Sequence, residues 1–180
     1  MTDRKLALLR GINVGGRNMI PMAGLRELCA ELGWQAVTSY IQSGNIVFET
    51  GGKPAALETD LETAIAARFS LGIPVFVRTA MDWAGYVNAN PFPGASLRDP
   101  NFVHLMLSKD PPAQDAAERL QERAQGGERV VLAGGALWIH YPSGAGRSKL
   151  TPALLDRLAG SPVTGRNWRT VLKIAEMIGP

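Results

Sequence analysis

The sequence predicts an α+β fold of two ferredoxin-like (βαββαβ) halves, the second degenerate, closed by a C-terminal helix. Two observations carry this. Short β-branched and aromatic runs alternate with helical periodicity in the order βαββαβ up to the proline-marked break "NPFPG", and the same order restarts beyond it. The chain has 180 residues, 46% of them hydrophobic and 19% charged, which suits one domain or two small ones and excludes a disordered chain. The expected boundaries are 1–80 for a first domain, 81–100 for a connector with a short helix, and 101–180 for a second domain ending in the C-terminal helix.

Each element has a local reason. "KLALLR" is a strand; a glycine-rich loop then leads to a helix from Pro21 to about Leu32, with proline in its first turn and Gly33 just past its end. "AVTSYI" and "NIVFET" flank "QSG" and form a hairpin. A helix from Pro54 to about Ser70 repeats Leu57, Leu61, Ile65 and Phe69, and the strand "PVFVRT" completes the first unit. In the second unit "NFVHLMLS" is a strand, "PPAQDAAERLQERA" a helix and "ERVVLAGGALWIHY" a hairpin turning at Gly134-Gly135. Thr151 and Pro152 start another helix, "SPVTG" is a weak last strand, and the closing helix runs from Asn167.

Charge narrows the function classes. The net charge of +3 is mild but uneven: residues 1–26 hold five Lys/Arg against one acid, and residues 141–180 hold six against two. A patch built from these ends would favour an anion, while the same counts also describe solvated surface. No apolar run reaches the eighteen or so residues of a membrane span, and the apolar part of "MTDRKLALLRG" is too short for a signal peptide, so the expected setting is the cytoplasm with no membrane partner. Cys29 shares an apolar stripe with Leu25, Leu28 and Leu32 and reads as a buried thiol. With two histidines and one cysteine, no metal site is expected, and no cofactor.

Three loops hold the candidate binding residues. "GINVGGRN" fails the spacing of both the dinucleotide fingerprint and the P-loop. It still places Arg10, Asn13, Arg17 and Asn18 at a helix start. In a ferredoxin-like sheet, the end of the first strand and the tip of the second-to-third hairpin lie at one edge. The loop should therefore converge on Gln42, Ser43 and Asn45. "YPSGAGRSKLTP" sets Arg147, Ser148 and Lys149 before another helix N-terminus, and "TGRNWRTVLK" adds Arg166, Asn167 and Arg169. Trp168 in the last stretch reads as a core anchor. Alternation also suggests that Phe102, His104, Trp138 and His140 share the helix-free sheet face, left open for base stacking or covered by the other domain.

The blocks "ALLRGINVGGRNMIPMAGLRELCAELGWQAVTSYIQSGNIVF", "YPSGAGRSKLT" and "TGRNWRTVLKI" resemble a bacterial family known only as domain of unknown function 1697, over about Leu6 to Ile174. The resemblance implies an α+β protein of two ferredoxin-like halves and supplies no reaction, cofactor or catalytic residue. Its signature segments correspond to Arg10 to Pro21, Tyr40 to Asn45, Ser143 to Lys149 and Thr164 to Thr170.

Three functions stay open. One is a cytoplasmic binding protein for a phosphate-bearing ligand, nucleic acid or nucleotide. Another is a small-molecule enzyme with an inter-domain pocket, in which Tyr40, His104 or His140 moves protons. The last is an interaction module whose polar residues bond one another and fix the loops. The sequence sets no oligomeric state.

Overall fold

The computed structural model describes residues 3–179. The chain divides into two compact units: Met1–Trp83 together with Ile174–Pro180, and Ala84–Lys173. Each contains one four-stranded, wholly antiparallel sheet.

In the first unit the elements are β1 (Asp3–Leu9), α1 (Met22–Glu31), β2 (Gln35–Tyr40), β3 (Asn45–Thr50), α2 (Pro54–Phe69) and β4 (Val75–Thr79), with strand order β2-β3-β1-β4. One sheet face, with Ala7, Leu9, Ile46, Phe48, Val75 and Val77, packs against Leu25, Leu28 and Cys29 of α1 and Leu57, Leu61 and Ile65 of α2. Trp34 stacks on Phe48 with ring centroids 3.8 Å apart. The buried Cys29 thiol is pushed up to about 12 by desolvation, so it stays protonated. Leu6, Leu8 and Phe76 on the opposite face are also fully buried, which is why "KLALL" reads as a continuous apolar run instead of an alternation.

The region read as a connector forms two helices, α3 (Ala80–Asn88) and α4 (Pro93–Arg98). The second unit then runs β5 (Val103–Ser108), α5 (Ala116–Gln121), β6 (Arg129–Ala133), β7 (Ala136–His140), α6 (Pro152–Ala159) and β8 (Val163–Asn167), in the equivalent order β6-β7-β5-β8. α7 (Trp168–Ile178) closes the chain. All four strands form, so the degeneracy lies in the helices: α5 and α6 have 6 and 8 residues where α1 and α2 have 10 and 16.

One expectation is corrected. Phe102, His104, Trp138 and His140 do not share a face. Leu105 pairs with Trp138 and Val103 with His140, whereas His104 pairs with Ile139 and Met106 with Leu137. Met106, Leu137 and Ile139 belong to the core beneath α5 and α6, so His104 lies on the helix side and Trp138 and His140 on the other. Alternation fixes parity within a strand, but the register between strands decides which parities meet.

Candidate functional site

In the first unit the glycine loop is a miniature hairpin. Val14 and Arg17 bridge, and Gly15 and Gly16 both take positive φ (57° and 73°), which a tight two-residue turn of this kind requires. The loop meets the β2–β3 tip: the Asn13 side-chain amide donates to Gln42 O at 2.9 Å and to Ile20 O at 3.0 Å, and its Oδ1 accepts from Ile20 N at 2.8 Å. At the tip Gly44, with φ 78°, lies so close to β1 that a Cβ there would sit 2.7 Å from the Leu9 Cβ, and Leu9 N donates to Gly44 O. Asn18 donates to Gly11 O, and Asn45 donates to Tyr40 O and to the Ser43 hydroxyl. The polar side chains that converge here are therefore engaged in holding two loops together. Arg17 projects into solvent, beside the exposed Val14 and Met19.

In the second unit the predicted residues separate. Arg166 pairs across the sheet with Leu105, on the face away from α5 and α6. Its guanidinium is buried, donating to the Thr164 hydroxyl at 3.0 Å and to Gly165 O at 2.8 Å, and desolvation lowers it to about 10. Asn167 caps α7 by accepting from Thr170 N, and Trp168 packs on Trp138 with centroids 5.8 Å apart. Arg169 and Arg147 are exposed. Ser148 donates to the buried Glu128 carboxylate and accepts from Leu150 N at 3.1 Å.

Lys149 lines a cleft between the end of α5 and the start of α6. This cavity, of about 530 Å³, is also lined by Arg123, Gln125, Thr151, Leu154 and Arg157. A second cavity of about 230 Å³ shares Arg123 and Arg157 with it and adds Arg119, Glu122 and Leu158. Among the described residues no carboxylate lies within 4.0 Å of the Arg123, Lys149 or Arg157 cations, whereas Arg119 stands 3.6 Å from Asp115.

A chain of hydrogen bonds fixes the walls. Gln121, the last residue of α5, donates to Glu128 O at 2.9 Å and accepts from Val130 N at 2.8 Å, which ties α5 to the start of β6. The Glu128 carboxylate accepts from Gly126 N at 2.7 Å and from the Ser148 hydroxyl, which ties that segment to the loop before α6. Hydrogen bonding, led by Ser148, holds this carboxyl below the usual range, so it stays ionised. Thr151 then caps α6 by accepting from Leu154 N. Arg123 and Lys149 thus stand on opposite ends of one bonded frame.

Neither histidine lines the cleft. His104 contacts Asn101 O through Nε2 at 3.0 Å and sits edge-on to Tyr141, and burial lowers its basicity. His140 packs beside Phe92 and is lowered by burial and by the nearby Arg129 and Arg98. The two imidazoles occupy opposite sheet faces, so they do not form a proton-relay pair.

Sequence reasoning found Lys149 but missed Arg123, Arg157, Gln121 and Glu128. Nothing in the local sequence distinguishes Arg123 or Arg157 from solvated surface charge, and both are exposed. The one available signal for Glu128 was its position at the start of a hairpin strand, in "GGERVV". No helix among the described residues is long and apolar enough to cross a membrane.

No curated protein matches the chain. A solved structure, that of the conserved bacterial protein SP0830 from Streptococcus pneumoniae, is similar over 99% of this chain and 100% of its own, with 25% identity and a TM-score of 0.73. A family model described as "Protein of unknown function (DUF1697)" matches residues 1–138, a span that includes the glycine loop, the hairpin tip, Arg123 and Glu128 but ends before Lys149 and Arg157. The chain belongs to this family of unknown function.

Proposed function

We propose that this is a cytoplasmic binding protein for a phosphate-bearing ligand, nucleic acid or nucleotide in class, and that the cleft between α5 and α6 is where the phosphate sits. The supporting observation is the group Arg123, Lys149 and Arg157, three cations facing one cavity with no carboxylate partner among the described residues. The three side chains are exposed at the rim of the cleft, and unpaired like charges gathered at one opening attract an anion. Thr151 and Gln125 add neutral hydrogen-bonding groups to the same lining. The glycine loop contributes less to this reading, because Asn13, Asn18 and Asn45 spend their amides on backbone and loop contacts.

The test is calorimetric titration of the full chain with inorganic phosphate at low and at high salt. Saturable binding that weakens with salt, and that Lys149→Ala and Arg157→Ala each abolish in proteins with unchanged circular dichroism, is expected. Absence of phosphate binding at low salt, or binding as tight as wild type in both variants, overturns the proposal.

A further inference from the structure

The second compartment of the cleft differs from the first in its chemistry. It shares Arg123 and Arg157 with the first and adds Arg119, whose charge is paired with Asp115 at 3.6 Å, and a carboxylate, Glu122, at the end of α5. The Glu122 carboxylate has no hydrogen-bond or ion-pair partner among the described residues, while its backbone N–H donates to Glu118 O at 3.0 Å. A carboxylate accepts hydrogen bonds and donates none, so it welcomes a hydroxyl and opposes a second anionic group. The first compartment, with Lys149 and Thr151 added to the shared arginines, has the opposite preference. A phosphomonoester carries a charge of about −1.5 to −2 at neutral pH, which the three unpaired cations can neutralise without a second phosphate.

Resting on the phosphate reading above, we infer that the ligand is the phosphomonoester of a hydroxylated carrier, such as a sugar or nucleoside. Its phosphate is held by Arg123, Lys149 and Arg157, and a carrier hydroxyl donates to Glu122. Glu122 is the specificity residue: it selects against diphosphates and for hydroxyl-bearing carriers, and it leaves the affinity for phosphate itself to the cations. Its side chain is exposed and makes no structural bond, so removing it leaves the fold intact.

The experiment titrates the full chain, wild type and Glu122→Ala, with inorganic phosphate, ribose 5-phosphate and pyrophosphate. In the wild type ribose 5-phosphate should bind about tenfold tighter than phosphate, the gain from one hydrogen bond to a charged group, and pyrophosphate no tighter than phosphate. In Glu122→Ala the ribose 5-phosphate advantage should vanish and pyrophosphate should gain. Phosphate binding with no preference for ribose 5-phosphate, a preference that survives in Glu122→Ala, or pyrophosphate as the tightest wild-type ligand overturns this inference and leaves the phosphate site standing. Failure of all three ligands to bind removes the phosphate site itself.

Discussion

A buried carboxylate keeps its charge only if donors replace the water it has lost, and Glu128 finds them in Gly126 N and the Ser148 hydroxyl. Ser148→Ala removes one donor to a charged acceptor and should cost about 1.5–3 kcal/mol in chemical denaturation. The same contact sets a pH dependence. The folded carboxyl lies below its usual value, so the stability it supplies is present above the ordinary carboxylate range and is lost as pH falls through the folded value. The acid-side decline in melting temperature should therefore be shallower in Ser148→Ala than in wild type. At the other loop the comparison is between neighbours. The Asn13 side chain makes three contacts to backbone groups, at 2.8, 2.9 and 3.0 Å, and Asn13→Ala should lower stability by about 2 kcal/mol. Arg17→Ala, at an exposed position, should leave the melting temperature unchanged.

At the scale of elements, the helices close the sheet edges. β4 is an edge strand, and its outward Val75 and Val77 N–H groups donate at 2.8 Å to Glu62 and Glu58 of α2. Residues four apart on a helix rise about 6 Å and residues two apart on a strand about 6.6 Å, so the two spacings match. Asp156 of α6 does the same for Val163 of β8, and Gln121 of α5 for Val130 of β6. β2, the other edge strand, is interrupted by a register shift between Gln35 and Thr38, with Ala36 at φ 49°. Such devices keep edges from pairing with other chains. Replacing Glu58 and Glu62 together by alanine should produce concentration-dependent aggregation on light scattering, whereas replacing the exposed Asp60 should not. These carboxylates were not legible in the sequence. A Glu on a helix reads as solvated surface until the strand it reaches over is known. The elements themselves were legible through boundary signals: Gly33 and Gly134-Gly135 as stops, and Thr151-Pro152 as a helix start.

For the molecule as a whole, two sheets of the same strand order follow from a βαββαβ pattern written twice, and this much the periodicity carried. The convergence of Asn13 on Gln42 also followed from topology, since the end of β1 and the tip of the β2–β3 hairpin must share one end of the sheet. The register of β5 against β7 did not follow, and with it went the expected His104–Trp138–His140 face. The cleft was legible only through Lys149, because Arg123 lies in the turn after α5 and Arg157 on α6, and their meeting depends on how α5 and α6 lie on the sheet. The proposed phosphate site depends on this meeting. Nitrogen-15 NMR of the full chain during titration with a phosphomonoester measures it most directly. Saturable amide shifts confined to the segments around Arg123, Lys149 to Thr151 and Arg157 are expected. Shifts centred on Arg10 to Asn18 and the Gln42 to Asn45 tip, or no saturable shifts at all, would contradict it.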